Sequence, residues 1–401
     1  MNNLYSLAIM GGKPAFSEKL HVNLPNIGNR KSFMNHVNLM LDKRQFTNNG
    51  LLVQELSKKI SEYLGVKHCV LTNNGTGAMS LLIKALGLNG EVILPSFTFI
   101  STAHSLFWQG IKPIFSEIDQ KSWNIDCEHC ESLITEKTTA IIATHLWGRG
   151  CDVQRLNQIA KRHNIHIIFD AAHAFGCTAN NKIIGSFGTA EVFSFHATKI
   201  FHTFEGGAIT TNDSILAKKL DEMRNFGFIG MDQISRLGTN AKMPEVCAAM
   251  GLSNIESIKK IILGNKTVYE QYQKHLKQLK GIELLEYDPL ESNNYQYIVL
   301  KVDKKIIGLS RDELLQILHK ENIIARRYFY PGNHKMEPYN STYPDVELPI
   351  TDSIASKVLL LPGGKDGVSE DSIAKICSTL NLILKNHKTL HKQLKLKNEE
   401  I

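Results

Sequence analysis

Residues 165–174 read IHIIFDAAHA, a largely apolar run that ends at Asp170 and continues into small side chains. An apolar run of this length without polar alternation predicts a strand buried on both faces, as in a parallel sheet covered by helices. In open α/β sheets, ligands bind beyond the carboxyl ends of the strands. The stretch therefore predicts a parallel α/β sheet with Asp170 at its ligand-binding edge.

Six other short apolar runs have the same character, and helical stretches separate most of them. The predicted helices include residues 52–64, closed by Gly65, and residues 153–162. Strand-helix alternation over this distance predicts a doubly wound, mostly parallel seven-stranded sheet. The other six predicted strands are residues 68–71, 91–94, 112–115, 140–143, 191–195 and 207–210.

The pattern changes after about residue 250, where a long helical stretch leads into a different order of elements. We expect a large α/β domain with an N-terminal arm over residues 1–255 and a smaller α+β domain over residues 256–401. The elements predicted in this part are helices at 244–279, 311–321, 352–359 and 370–384 and strands at 295–302 and 323–329.

Composition excludes several classes of protein. The chain has 401 residues, 43% hydrophobic and 21% charged, which argues against intrinsic disorder. No apolar run approaches the ~20 residues that cross a bilayer, and the N-terminus lacks the basic and apolar regions of a signal peptide. We therefore expect a cytoplasmic protein without a membrane partner.

Cysteines and charge point to no metal or nucleic acid. The seven cysteines are an odd number, and the single Cys127–Cys130 pair lacks the second ligand pair of a zinc site. Much of the +7 net charge lies in the last 17 residues, leaving the rest too mildly basic to indicate nucleic-acid binding. We expect the tail to form a solvated helix that frays.

Two further strand ends carry motifs with chemical meaning. Residues 72–78 read TNNGTGA between a strand and a helix, so Gly75 and the helix N-terminus can bind a phosphate, although Thr76 can also act as a simple N-cap. Lys199 lies between a buried strand and the Gly-Gly that opens the next one, which makes it a candidate for a desolvated amine; the alternative is an ordinary solvated lysine.

A phosphate cradle, a strand-end carboxylate and a buried lysine are the three parts that a pyridoxal 5′-phosphate (PLP) site requires. The lysine bonds to the cofactor aldehyde, and the carboxylate keeps the pyridine nitrogen protonated. Each part alone is a weak signal, but their order on successive strand ends predicts a PLP enzyme.

The chain resembles the DegT/DnrJ/EryC1/StrS family of PLP-dependent nucleotide-sugar aminotransferases over nearly its whole length. This resemblance implies an aminotransferase of fold type I that keeps the lysine, unlike a dehydrating branch of the family in which histidine replaces it. The motifs that carry it are 47–50 TNNG, 74–76 NGT, 94–99 LPSFTF, 145–148 HLWG, 170–174 DAAHA, 194–199 SFHATK, 205–207 EGG, 238–243 GTNAKM and 330–334 YPGNH.

The resemblance also implies residue roles. Lys199 would bind the cofactor covalently and move the proton, and Asp170 would pair with the pyridine nitrogen, so these two are the expected catalytic residues. The expected remaining cofactor contacts are His173 at the ring hydroxyl, Phe99 on the ring face, Gly75, Thr76 and Ser194 at the phosphate, and Asn240 from a neighbouring subunit of a homodimer.

Two departures from the common family pattern affect the site. The phosphate turn has Asn74 where many relatives have serine, and residues 326–331 read RRYFYP in place of the usual run. Guanidinium groups suit phosphate, so Arg326, Arg327 and His334 are candidate substrate-binding residues. The alternative for the arginines is a pair of surface charges on an edge strand.

The expected reaction is transfer of an amino group from L-glutamate to a nucleotide-linked keto-deoxysugar. The resemblance is greatest to members that convert dTDP-4-keto-6-deoxyglucose to dTDP-4-amino-4,6-dideoxyglucose, a sugar of surface polysaccharides such as the O-antigen of lipopolysaccharide. The alternatives are amination of a 3-keto sugar, a PLP-binding regulatory protein without turnover, and a structural protein with a vestigial site.

Overall fold

A central seven-stranded sheet organises the computed structural model, which describes residues 4–399. Its spatial order is β1-β7-β6-β5-β4-β2-β3, and only β7 runs antiparallel to its neighbours. The predicted mostly parallel α/β fold is confirmed, with each strand end within two residues of its predicted place. The strands are β1 His68–Thr72, β2 Glu91–Pro95, β3 Lys112–Ser116, β4 Thr138–Thr144, β5 His166–Asp170, β6 Ala190–Ser194 and β7 Gly207–Thr211.

Helices cover both faces of this sheet, which explains why its strands carry buried apolar residues on both faces. Ile167 and Phe169 of β5 enter one hydrophobic cluster, whereas Ile168 between them enters another on the opposite face. This alternation is the period-two geometry of a strand. The helices of this part are Arg30–Lys43, Leu51–Leu64, Gly75–Leu86, Ile100–Phe107, Cys127–Ser132, Val153–His163, Ser214–Met223 and Glu245–Leu276.

A second, three-stranded antiparallel sheet lies in the C-terminal part. Its strands are β8 Ile282–Leu284, β9 Ile298–Val302 and β10 Val358–Leu361, with β9 in the middle. The helix Glu245–Leu276 runs across residue 255, and the division into two domains there stays a prediction. The helices are Lys304–Ile307, Arg311–Lys320, Tyr339–Thr342, Pro349–Ala355, Glu370–Lys385 and His387–Glu399.

Shorter elements complete the described chain. Leu20–His21 pairs in parallel with Ile323–Ile324, so the N-terminal arm is joined to the C-terminal part. Leu7 and Ile9 also pack in the hydrophobic cluster of that part. The remaining short elements are the strand pairs Thr178–Ala179 with Lys182–Ile183 and Phe228–Gly230 with Gln233–Ile234, and the 3₁₀ turns Leu4–Ser6, Ala8–Met10, Leu146–Gly148 and Asn333–Lys335.

Two predicted elements of the C-terminal part are wrong. The helix expected at 352–359 ends at Ala355, and Val358–Leu361 is a fully buried strand that pairs with β9. A short apolar run does not distinguish a helix from a buried strand by periodicity. The strand expected at 323–329 stops at Ile324, because after one bridge between Arg326 and Leu360 the chain leaves the sheet.

The basic tail is anchored on one side. Leu390 and Leu394 of the helix His387–Glu399 are buried, whereas Lys388, Lys392 and Lys395 are exposed. The expectation of a solvated helix is therefore right only for its lysine face, because the leucine face packs in the C-terminal cluster. Within residues 4–399, no helix is long and apolar enough to cross a bilayer.

The anchoring of this helix predicts that alanine substitutions at two of its leucines lower the stability of the protein by different amounts. Leu390→Ala leaves a cavity at a fully buried position and should lower the free energy of unfolding by about 2–5 kcal/mol. Leu396→Ala is the matched control, because Leu396 is 56% exposed, and should change it by less than about 0.5 kcal/mol. Urea unfolding followed by circular dichroism measures both, and equal losses would contradict the packing of this helix.

Candidate active site

A cavity of about 450 Å³ lies at the carboxyl ends of the parallel strands and collects most of the predicted site residues. Strand ends supply one wall, and Tyr297, Tyr328 and Phe329 from the C-terminal part supply another. Eight predicted residues line it, namely Gly75, Thr76, Phe99, Asp170, His173, Ser194, Lys199 and Arg326. The structure thus brings together residues that are up to 251 positions apart in the chain, from Gly75 to Arg326.

Lys199 follows β6 and directs its amine into the cavity. Its Nζ donates a hydrogen bond to the hydroxyl of Tyr297 at 3.3 Å. Burial lowers the pKa of this amine to about 8, while the charge of Asp170 opposes the shift. With this pKa, roughly a tenth of the amine is uncharged at pH 7, and the uncharged amine is the form that bonds to a carbonyl carbon.

Asp170 ends β5, next to β6 in the sheet, and its carboxylate is held by two donors. The hydroxyl of Thr102 donates to Oδ2 at 2.8 Å, and the backbone N–H of Ala172 donates to Oδ1 at 3.1 Å. Burial raises the pKa of Asp170, whereas these hydrogen bonds and the charge of Lys199 act against that rise. A buried carboxylate with few donors is suited to pair with a protonated ring nitrogen.

His173 lies in the turn after β5 and is uncharged. Burial, aided by the charge of Lys199, holds its pKa well below the usual range. The backbone N–H of Trp147 donates to Nδ1 at 3.3 Å, so the proton is assigned to Nε2. The imidazole stacks on Phe329 with ring planes 8° apart, which fixes its orientation.

The predicted phosphate cradle is the first turn of the helix Gly75–Leu86, so residues 75–78, expected to precede the helix, belong to it. The side chain of Asn74 caps this helix by accepting from the N–H of Gly77 at 2.7 Å. Only glycine fits at position 75, because a Cβ there would lie 2.9 Å from the Cβ of Ser194. The N-terminus of this helix and the hydroxyl residues Thr76 and Ser194 line the same cavity, and this set fits a phosphate monoester.

Three predicted residues do not reach the cavity in this chain. Arg327 is exposed, donates to Asp312 at 3.1 Å and lies over the ring of Tyr330. His334 is buried against the hydroxyl of Ser96 at 2.7 Å and faces Asp352 at 3.3 Å. Asn240 is exposed and does not line the cavity. Direct substrate contact by Arg327 or His334 therefore finds no support in the geometry of the single chain.

Sequence reasoning missed other residues that face the cavity, above all Thr102 and Tyr297. Thr102 lies in the helix Ile100–Phe107, just after the motif 94–99, so the strand-end rule was a usable signal for it. Tyr297 carried no such signal, because it reaches Lys199 from a separate sheet almost 100 residues away in the chain.

The fold and this site define a class of enzyme, the PLP-dependent aminotransferases, because amine, carboxylate and anion cradle meet at the strand ends of one sheet. The chain belongs to the DegT/DnrJ/EryC1/StrS aminotransferase family, whose model matches residues 28–381. As in that family, its cofactor is pyridoxal 5′-phosphate.

Individual relatives are similar over nearly their full length. The dTDP-4-amino-4,6-dideoxy-D-glucose transaminase of Shigella dysenteriae is 40% identical over 371 residues, which cover 92% of this chain and 99% of the relative. The enzyme of the same name from Escherichia coli is 35% identical, with 90% and 97% covered. The solved structure of DesI in the presence of its TDP-sugar product has a TM-score of 0.94 at 38% identity, covering 98% of this chain and all of that one.

The electrostatic pairing of Lys199 with Asp170 predicts a shift in the lysine pKa. Asp170→Asn removes the charge that stabilises the ammonium, so the pKa of the amine should fall below about 8. The measurement is the pH dependence of Lys199 acylation in cofactor-free protein, read by mass spectrometry. Glu205→Gln is the control, because Glu205 lines the same cavity but pairs with His196 at its exposed rim; a shift of equal size there would contradict a specific pairing.

Proposed function

We propose that this enzyme transfers the amino group of L-glutamate to C4 of dTDP-4-keto-6-deoxyglucose and forms dTDP-4-amino-4,6-dideoxyglucose for surface polysaccharide. The observation that carries the transfer chemistry is the lysine amine of lowered pKa beside Asp170 in one cavity. The sugar is supported by the names of two relatives that are 40% and 35% identical.

The bound cofactor supplies an aldehyde that bonds to amines and a protonated ring that withdraws electrons from the adjacent carbon. In the proposed site Asp170 holds the proton at the pyridine nitrogen, and Phe99 and His173 lie against the ring and its hydroxyl. Gly75, Thr76 and Ser194 hold the phosphate. Each of these residues lines the cavity, which supports assigning them to one ligand.

Lys199 is the proposed proton carrier. Once its Nζ is free, the uncharged amine takes the proton that leaves Cα of L-glutamate. In the second half of the reaction the same atom delivers a proton to C4 of the sugar. A pKa of about 8 suits both directions, since the amine is present in both protonation states near neutral pH.

Arg326 is the proposed contact for the pyrophosphate of the nucleotide sugar. Its guanidinium lines the cavity and stacks over Tyr328 at 4.8 Å. Among residues 4–399 it has no carboxylate partner, in contrast to Arg327, which Asp312 engages. A planar cation without a partner at the cavity edge is suited to bind a phosphate through two parallel hydrogen bonds.

A homodimer with shared active sites is the proposed assembly. Phe99 lines the cavity and yet is 54% exposed in the single chain. Asn240 lies beside a short hairpin whose Phe228, Ile234 and Met231 are all exposed. Exposed apolar groups in such number mark a protein interface, and a second copy seated there is the proposed source of Asn240 for the phosphate.

The described cysteines are all unpaired, which supports a reducing cytoplasm as the site of action.

The visible absorption spectrum tests the first half of the reaction. The holoenzyme should show the band of the bound cofactor, and L-glutamate without any sugar should bleach it, because the amino group moves to the cofactor. Lys199→Ala should lose covalent attachment of the cofactor, as judged by mass spectrometry after borohydride reduction. A band that ignores glutamate would favour a regulatory protein without turnover, and locating the new nitrogen in the product separates C4 from C3 amination.

Mixing two inactive variants tests the shared site. In a dimer of one Lys199→Ala chain and one Asn240→Ala chain, one site keeps both its own lysine and the asparagine of the other chain. Random exchange of subunits should therefore restore up to about a quarter of wild-type activity, because half the dimers then carry one intact site of two. Each variant refolded alone is the control, and mixtures no more active than their parts would contradict Asn240 acting across subunits.

A further inference from the structure

Residues 293–297, read NNYQY, form a segment that enters the active site from the C-terminal part of the chain. We name it the clamp segment, because its side chains hold the backbone on both sides of Lys199. The Nε2 of Gln296 donates to the carbonyl of Thr198 at 2.7 Å, and its Oε1 accepts from the N–H of Ile200 at 3.1 Å. One side chain thus forms hydrogen bonds with the backbone of the residue before the lysine and of the residue after it.

Tyr297, the next residue of the clamp segment, contacts the lysine itself. Its hydroxyl accepts the hydrogen bond from Nζ at 3.3 Å, and its ring packs edge-on against His173 at 4.9 Å. The hydroxyl of Tyr287 donates to the carbonyl of Tyr297 at 3.3 Å. Tyr297 is 2% exposed, so neither its ring nor its hydroxyl is free to turn away.

Asn294 ties the clamp segment to the strand end that carries the other half of the site. Its Nδ2 donates to the carbonyls of His173 and Phe175, and its Oδ1 accepts from the N–H of Gln296. Contacts from one short segment therefore reach the turn after β5 and the loop after β6. These are the two places whose relative position sets the distance from lysine to cofactor.

We propose that Tyr297 is a further catalytic residue, whose hydroxyl holds the amine of Lys199 during proton transfer, and that Gln296 is the positioning residue for that lysine. The proposal rests on the aminotransferase function given above and adds to it the partner of the proton-carrying atom.

In this proposal Tyr297 forms a hydrogen bond with the amine and does not ionise. When Nζ takes the proton from Cα of the donor it becomes an ammonium, and the phenol oxygen accepts a hydrogen bond from it. When Nζ is uncharged, its lone pair accepts a hydrogen bond from the same hydroxyl. Burial raises the pKa of Tyr297 well above its usual range, so the phenol keeps its proton throughout.

Other charges around the cavity bear on the same amine. Asp170 stabilises the ammonium, His173 is uncharged, and Glu205, His196 and Arg326 lie on the cavity wall. A hydrogen bond to a charged group is stronger than one between neutral groups. Removing the Tyr297 hydroxyl should therefore destabilise the ammonium more than the amine and lower the lysine pKa further.

Tyr297→Phe tests this in two independent measurements. In cofactor-free protein, the midpoint of Lys199 acylation against pH should move down by roughly 0.5–1 unit. In the holoenzyme, kcat should fall by about tenfold or more, with the KM of both substrates changed less than about threefold. Tyr269→Phe is the control, since this buried tyrosine also loses the hydrogen bond of its hydroxyl, here to the carbonyl of Leu285, but does not line the cavity and keeps the ring that packs on Tyr295.

The outcomes separate this proposal from the proposed function. An unshifted acylation midpoint in Tyr297→Phe, or an equal shift in Tyr269→Phe, would overturn the role of the hydroxyl. A wild-type enzyme that fails to use L-glutamate would instead overturn the proposed function, because the titration needs neither substrate nor cofactor.

Gln296→Met supplies a second test should Tyr297→Phe not fold. It keeps the length of the side chain but loses both backbone contacts. Hydrogen exchange at the N–H of Ile200 should then accelerate by about tenfold, and kcat should fall with little change in KM. Unchanged exchange and kcat in this variant would overturn the positioning role.

Discussion

The structure depends on a charged amine and a carboxylate that share one cavity at the edge of a buried sheet. Asp170 ends β5, Lys199 follows the adjacent parallel strand β6, and each favours the charged form of the other against the cost of burial. A lone charge in such surroundings would be expensive. Burial alone would move the pKa values of both groups further from their usual ranges. Because the two charges oppose these shifts, the amine changes protonation state near neutral pH.

The close approach of the strand ends follows from small residues at particular points. A Cβ at Gly75 would collide with Ser194, and one at Gly207 would lie 2.6 Å from the backbone of Asn74. These contacts draw the helix Gly75–Leu86 against β6 and β7, so that its N-terminal N–H groups face the same cavity as the lysine. The clamp segment then holds the loop after β6 from the opposite side. The anion cradle and the carboxylate are thus set by a helix start and a strand end, and the loop that carries the amine is held by the clamp segment.

Strand-end reasoning succeeded where the chemistry lies next to the strand that carries it. All seven predicted strands form the main sheet. Eight of the predicted site residues line the cavity at the carboxyl ends of its parallel strands. It failed in the C-terminal part, where the buried strand Val358–Leu361 has the same apolar composition as a buried helix, and only its pairing with β9 distinguishes the two. His334 shows a related limit, since a histidine beside a family motif lies buried between Ser96 and Asp352.

The sequence by itself determined the fold class, the order of the central strands along the chain and the three groups proposed to bind the cofactor, because these depend on local patterns of burial and on residues adjacent to strand ends. Only the tertiary structure decided which groups from distant elements meet them. Tyr297 on Lys199 and Arg326 rather than Arg327 at the cavity are results of how the C-terminal part packs on the main sheet. Contacts of this kind are not local in sequence, and no periodicity or motif records them.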